Sequence, residues 1–250
     1  ECWLGRWISI KGLWTGLFGE VWERLALVVG FNTIIAVSES TRADLLCHGV
    51  SNIISIPNGV AVESFKKVRR ATTPTVTFVG RLVAGKRVDI LIRAVGMLKP
   101  QPRLVIIGEG PERSFLESLA RTVGVYTTFT GFVNSTDEVH ARVSSSHVFC
   151  LPSSIEGFGI SVIEAMACGV PVVVADIPPL REVVDNGKAG LLVPVGDVNA
   201  TANALHTVLT TPALSATLRR HGYHRLKEYN WDVLARRYTI LLSESHVRNT

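Results

Sequence analysis

Two carboxylates eight positions apart, Glu156 and Glu164, bracket a pair of glycines, Gly157 and Gly159, in the stretch PSSIEGFGISVIEAMACGVPVVVAD from Pro152 to Asp176. The glycines flank Phe158. Residues without a Cβ let backbone N–H groups come close to a ligand, and here they stand where the apolar spacing turns helical. From Ser161 onward, Val162, Ile163, Ala165, Met166 and Ala167 predict a short buried helix that ends at Gly169. The first N–H groups of a helix have no intrahelical partner and lie at the positive end of its dipole, so those of Gly159, Ile160 and Ser161 suit an anion such as a diphosphate. A carboxylate is a poor phosphate ligand but a good acceptor for hydroxyl groups, so two of them beside one cleft point to sugar and ribose. A lone Glu on a short helix is ordinarily solvated. The glycines and the buried-strand run from Pro171 to Ala175 favour a site instead.

A second cluster supplies cations. In Gly80-Arg-Leu-Val-Ala-Gly85-Lys86-Arg87, Arg81 and Lys86 follow an apolar strand and a glycine turn, where fixed positive charge would sit beside phosphates. The stretch nearly matches the phosphate loop G-x-x-x-x-G-K-[ST], but Arg87 replaces the hydroxyl that would hold Mg²⁺. Gly108-Glu-Gly110 opens a dinucleotide fingerprint that fails at Arg113, where the third glycine belongs, so hydride transfer is not indicated.

The elements that must position these residues alternate regularly. Strands are predicted at 75–80, 103–107, 126–130, 148–151, 171–175 and 190–193, each followed by a helical pattern, which implies an α/β fold with a Rossmann-like, doubly wound parallel sheet. Ligands in such sheets bind outside the carboxyl ends of the strands, where Gly80, Gly108, Gly131, Pro152 and Asp176 fall. Helices are predicted at 197–210, 212–222 and Trp231–Ser243. Upstream, Thr33–Val37 and Asn52–Ile56 read as strands around a helix capped by Ser38 or Ser40, closed by the turn Pro57-Asn58-Gly59. Before them, Trp3, Trp7, Ile10, Trp14, Leu17, Val21, Leu25 and Val28 repeat at helical steps, weakened by Gly5, Gly12, Gly16 and Gly19. In residues 1–31 three basic residues balance three acidic ones, which argues against attraction to anionic lipid, so this stripe is read as packing against a core outside the chain.

The chain has 250 residues, a formal net charge of +5, 47% hydrophobic and 19% charged residues, as in a globular protein of one full domain and part of another. The basic residues of the last fifty, from Arg219 to Arg248, interleave with apolar ones as on a solvated helix face, so no nucleic-acid partner is expected. Cys2, Cys47, Cys150 and Cys168 form no C-x-x-C pair and have no histidine at metal-ligand spacing, so no metal site or disulfide framework is indicated and a reducing cytoplasm is the default. No apolar run is long enough to span a bilayer.

EGFGISVIEAMACGVPVV resembles the signature of the retaining nucleotide-sugar glycosyltransferases of family 4, or group 1, and VGRLVAGKRVDILIRA resembles their diphosphate-binding segment. The resemblance covers most of the chain. It implies a GT-B fold, two Rossmann-like domains facing across a cleft, with the C-terminal donor-binding domain at 75–230. AVSESTRADL followed by SIPNGV resembles the end of the first domain and its hinge. The implied organisation is a remnant of the acceptor domain at 1–57, a linker at 58–74, and a last helix at 231–250 that crosses back to the first domain. The expected function is transfer of a sugar from a nucleoside diphosphate sugar to an acceptor (sugar, lipid or protein) with retention of configuration. Arg81, Lys86 and Glu156 are the catalytic candidates, the cations on the leaving diphosphate and Glu156 on the sugar hydroxyls. Glu164 would hold the ribose. Gly131, Phe132 and Val133 would face the base, and Gly80, Gly157, Phe158, Gly159, Ile160 and Ser161 complete the donor site. No cofactor and no metal is expected, since protein cations and the helix start neutralise the diphosphate. The first domain offers a peripheral membrane contact at most. A glycine-rich loop and a histidine near the reacting carbon, both implied by the resemblance, belong to a part expected outside this chain. The alternative expectation is therefore a donor-binding module that is inactive without a separate acceptor-binding partner.

Overall fold

The computed structural model describes residues 13–28, 31–61, 65 and 68–247. Trp3, Trp7 and Ile10 of the N-terminal stripe, with Gly5 and Gly12, lie outside the described residues, as do Cys2 and Arg248. The chain divides into two compact units, Glu1–Asn58 with Asp232–Thr250, and Gly59–Trp231.

The first unit begins with α1 (Leu13–Val28), on which Trp14, Phe18 and Trp22 are exposed while Gly16 and Gly19 are buried. Strands β1 (Ile34–Ala36) and β2 (Ile53–Ser55) then pair in parallel, Ile34 opposite Ile53, around α2 (Glu39–Cys47). Ser38 caps that helix, its Oγ accepting from the Thr41 N–H at 3.0 Å. Ala36, Leu45 and Ile53 make a small core here, with Ile34 and Val50 packed on it.

In the second unit the chain alternates as β3 (Thr75–Val79), α3 (Val88–Met97), β4 (Arg103–Ile107), α4 (Arg113–Val123), β5 (Thr127–Gly131), α5 (Thr136–Ser144), β6 (Val148–Leu151), α6 (Ile160–Ala167), β7 (Val172–Ala175), α7 (Pro178–Val183) and β8 (Leu191–Val193). Helices α8 (Val198–Thr210) and α9 (Pro212–Arg225) follow. All six strands pair in parallel, in the order β5-β4-β3-β6-β7-β8. The sheet is thus α/β, doubly wound and Rossmann-like, with its strands within one residue of the ranges expected from sequence. Strands β6 and β7 are buried along their whole length, which is why they read as unbroken apolar runs rather than alternating ones.

The order of winding fixes where a ligand can enter. The chain runs outward from β3 to β5, then returns through α5 to lay β6 beside β3. Helix α3 packs with α4 and α8, whereas α6 packs with α5 and α9. The connections leaving β3 and β6 therefore diverge to opposite faces and leave a crevice at their carboxyl ends.

Within the expected linker, the described residues are anchored. Val60 is buried and exchanges backbone hydrogen bonds with Tyr229 and Trp231, at 2.8 and 3.3 Å. A Cβ on Gly59 would run into the Trp231 ring. The last helix, α10 (Trp231–Val247), belongs from Asp232 onward to the first unit, where Arg237 donates to the Ser55 carbonyl at 2.7 Å.

Candidate active site

The loop after β3 and the loop after β6 face each other across this crevice and are tied together. Ser154 donates its backbone N–H to the Gly85 carbonyl at 2.9 Å and its hydroxyl to the same oxygen at 3.2 Å. One residue beyond Gly85 and two beyond Ser154, Lys86 Nζ donates to Glu156 Oε1 at 2.7 Å. The pair is largely out of water, with side chains 20% and 6% exposed. Lys86 sits at the end of a single 3-10 turn, Ala84–Lys86, so its backbone position is fixed by the turn. The sequence assigns Lys86 and Glu156 to different groups of the ligand; in the structure they pair with and neutralise each other.

Arg81 lies on the same loop but is exposed, and its guanidinium has no ion-pair partner among the described residues. The neighbouring Arg87 is occupied elsewhere. It takes a left-handed conformation, φ 50°, and pairs with Asp89 at 3.1 Å, so the near-match to a phosphate loop ends in a structural turn.

Helix α6 starts at Gly159, whose φ of 106° lies in the region only glycine adopts easily. A Cβ there would also come within 2.6 Å of Leu180 Cδ2. No side chain caps this end and no acidic residue occupies the first turn, so the N–H groups of Gly159, Ile160 and Ser161 remain available to a ligand. Gly157 lies half-buried in the loop before them. Ile160 points outward. Phe158 does not: its ring is buried edge-on against Tyr229, centroids 5.6 Å apart, so only its backbone can serve a ligand. Apolar rings leave water first, and an aromatic in a glycine loop is no exception.

The carboxyl ends of β3, β4 and β5 are tied as well. Gly80 donates to the Ile107 carbonyl and Gly108 to that of Gly131, each at 3.0 Å. A Cβ on Gly108 would collide with the Gly80 carbonyl, and one on Gly110 with the backbone of Leu82. These glycines serve close packing of two loops rather than a dinucleotide. Gly131 ends β5 with φ 75°, after which Phe132 is 74% exposed and Val133 half-buried. Beside Gly131 the Arg113 guanidinium pairs with both Glu109 and Glu117.

Glu164 lies in the second turn of α6, with its side chain 30% exposed. Burial pushes its carboxyl above the usual carboxylate range. The nearest basic group is His140 of α5, its Nε2 at 3.9 Å from Glu164 Oε1. Burial holds the His140 ring below the usual histidine range, opposed by Asp137. Sequence reading missed His140, and no motif could have revealed it, since its place depends on α5 packing against α6. It also missed the buried, unpartnered Ser153 hydroxyl at the end of β6. Among the described residues no group of three or more His, Cys, Asp or Glu could hold a metal ion, and no helix is long and apolar enough to cross a membrane.

The model for group 1 glycosyl transferases matches residues 60–225, which contain the loops after β3, β5 and β6 and the start of α6. The chain belongs to this family. It is 34% identical over 211 residues to a phosphatidyl-myo-inositol mannosyltransferase of Mycobacterium leprae (strain TN), an alignment covering 80% of this chain and 56% of that protein. It is 31% identical to a GDP-mannose-dependent alpha-(1-6)-phosphatidylinositol dimannoside mannosyltransferase of Mycobacterium tuberculosis (strain ATCC 25177 / H37Ra), covering 80% of this chain and 55% of the relative. The chain thus spans little more than half the length of these relatives. Among solved structures, sucrose-phosphate synthase from Thermosynechococcus elongatus superposes with a TM-score of 0.84 at 29% identity, covering 92% of this chain and 62% of that one. The Anabaena protein HepE, solved with UDP and glucose, shares the fold at a TM-score of 0.80 and 21% identity, covering 88% and 66%. As a family member, the chain carries its candidate residues on the Gly59–Trp231 unit alone.

Proposed function

We propose that the protein binds a nucleoside diphosphate sugar in the crevice between β3 and β6 and transfers the sugar to an acceptor hydroxyl with retention of anomeric configuration. The observation that carries this reading is the meeting of Lys86 and Glu156 beside the uncapped start of α6, which combines a cation, a hydroxyl acceptor and free N–H donors in one water-poor cleft. Arg81, Lys86 and the N–H groups of Gly159 to Ser161 hold the diphosphate and favour its departure as charge builds on it. Freed from Lys86, Glu156 accepts hydrogen bonds from the sugar hydroxyls. Glu164 holds the ribose, and Phe132 with the backbone of Gly131 and Val133 lies against the base. The bond from the anomeric carbon to the diphosphate breaks with its electron pair leaving on phosphate, and the acceptor oxygen bonds to that carbon from the same face as its hydroxyl proton passes to the departing phosphate oxygen. Protein cations and the helix start supply the neutralisation, so the donor binds without a divalent metal.

Two relatives named as mannosyltransferases, one of them GDP-mannose-dependent, make GDP-mannose the first donor to test. Their names also make a phosphatidylinositol-type lipid, met at the cytoplasmic face of a membrane, the first acceptor. A thermal-shift and calorimetric screen of nucleotide sugars in excess chelator tests the donor claim. Saturable binding of at least one supports it, and silence across purine and pyrimidine donors overturns it.

A second reading is favoured by the confinement of all candidate residues to one unit: a donor-binding module that needs a separate acceptor-binding partner. Holding donor and acceptor together contributes up to about 7–11 kcal/mol to catalysis, and one wall of a cleft cannot supply it. Incubation with labelled donor and lipid acceptors separates the two. Robust transfer by the purified chain rules out the module reading.

A further inference from the structure

We propose that His140 is a positioning residue for Glu164, its Nε2–H poised to donate to the carboxylate that receives the donor's ribose. The inference rests on the role of Glu164 given above and adds a residue to it. The His140 side chain is only 9% exposed, and neither ring nitrogen has a hydrogen-bond partner among the described residues. Buried polar atoms are nearly always paired, so two orphans on one ring require an explanation. Phe65 stacks on the ring with centroids 4.1 Å apart and planes 29° from parallel, which fixes the plane in which the nitrogens lie. A phenylalanine would fill that space as well without burying unpaired nitrogens, so packing alone does not account for a histidine.

The geometry identifies the partner. Nε2 stands 3.9 Å from Glu164 Oε1, roughly 1 Å beyond a charge-assisted hydrogen bond. Glu164 is half-buried and unbranched, so a change of its side-chain rotamer is enough to span the remaining gap without moving either helix. The charged group that acts on His140 is Asp137 of α5, and the Cys168 thiol, at the C-terminal cap of α6, is the other titratable group beside the pair. The thiol donates to the His140 carbonyl at 3.6 Å and is pushed up to about 11, so it stays neutral. His140 is held neutral by burial, and the neutral ring with its proton on Nε2 offers the one donor that an acceptor-only carboxylate needs. That donor keeps Glu164 ionised in a setting that otherwise favours its acid form.

Titration calorimetry with GDP and UDP as probes, from about pH 5 to 8, tests the proposal. His140→Phe is expected to weaken binding about tenfold at neutral pH. It should also move the acid limb of the binding profile to higher pH, because Glu164 without its donor protonates sooner. His140→Gln, which returns an N–H near the same place, should restore most of the affinity, and His140→Phe should cost nothing further in a Glu164→Ala background. An unchanged affinity and acid limb in His140→Phe beside a weakened Glu164→Ala overturns the role of His140 and leaves that of Glu164 standing. An unaffected Glu164→Ala overturns both. Should His140→Phe fail to fold, ¹⁵N spectra of the native imidazoles decide the matter: the His140 Nε2–H signal is expected to move on saturation with GDP or UDP, and an unmoved signal overturns the proposal.

Discussion

At the scale of single residues, the roles proposed for Glu156 and Glu164 assign them to different halves of the donor. Glu164→Ala should weaken nucleoside diphosphate and nucleotide sugar alike, about ten- to a hundredfold, because the ribose is common to both. Glu156→Ala should weaken the nucleotide sugar and spare the free nucleoside diphosphate, or even favour it, since Lys86 is then released to the phosphates. Calorimetry with the two ligands side by side reads both, and equal losses in Glu156→Ala would contradict its assignment to the sugar. Lys86→Ala differs from either: it strands a carboxylate that is only 6% exposed, so it should also cost about 1–3 kcal/mol of folding stability, read by denaturant unfolding. The residue types and their local spacing were legible in the sequence, but their pairing was not. Lys86 and Glu156 are 70 positions apart, and only the return of the chain from β5 to β6 makes them neighbours. The burial of the Phe158 ring was not legible, because a glycine loop signals backbone access and says nothing of where the intervening side chain packs.

At the scale of elements the site depends on how α6 begins. Gly159 holds a left-handed φ and faces Leu180, so Gly159→Ala should cost about 1–3 kcal/mol and displace the first turn. Diphosphate affinity should fall with it. A Gly159→Ala protein of native melting temperature and native affinity would mean that the helix start does not bear on the ligand. The strands were legible to within a residue because buried parallel strands are continuous apolar runs bounded by glycine and proline. The segment after Asn58 was less so. Its charge and threonine content suggest a linker, yet Val60 pairs with the chain near Tyr229 and Phe65 stacks on His140, contacts between residues far apart in sequence that composition does not encode.

For the molecule as a whole, buried titratable groups set the dependence of stability on pH. His147 accepts the Thr75 N–H at 3.2 Å through Nδ1, which requires a neutral ring, and burial depresses it as it does His140. The unfolded chain therefore binds more protons than the folded one just below the ordinary value of 6.5, so these two contribute stability above that pH and lose it as pH falls through their folded values. Glu164 acts with the opposite sign, since its raised value favours the folded state at low pH and costs stability as pH rises past 4.5. Melting temperature should fall on acidification from neutral pH, and more steeply in Glu164→Gln, which lacks the opposing term. A shallower fall in that variant would contradict the burial of the carboxyl. The central claim is that a diphosphate is held between β3 and β6 by protein cations and the start of α6, and one measurement tests it most directly: calorimetric titration of a nucleoside diphosphate in excess chelator into the native chain, Arg81→Ala and Lys86→Ala, at low and high salt. The account predicts saturable binding without metal, roughly tenfold or more weaker in each variant, with the loss shrinking as salt screens the charges. Binding that vanishes with the metal, or that is indifferent to both substitutions, would contradict it.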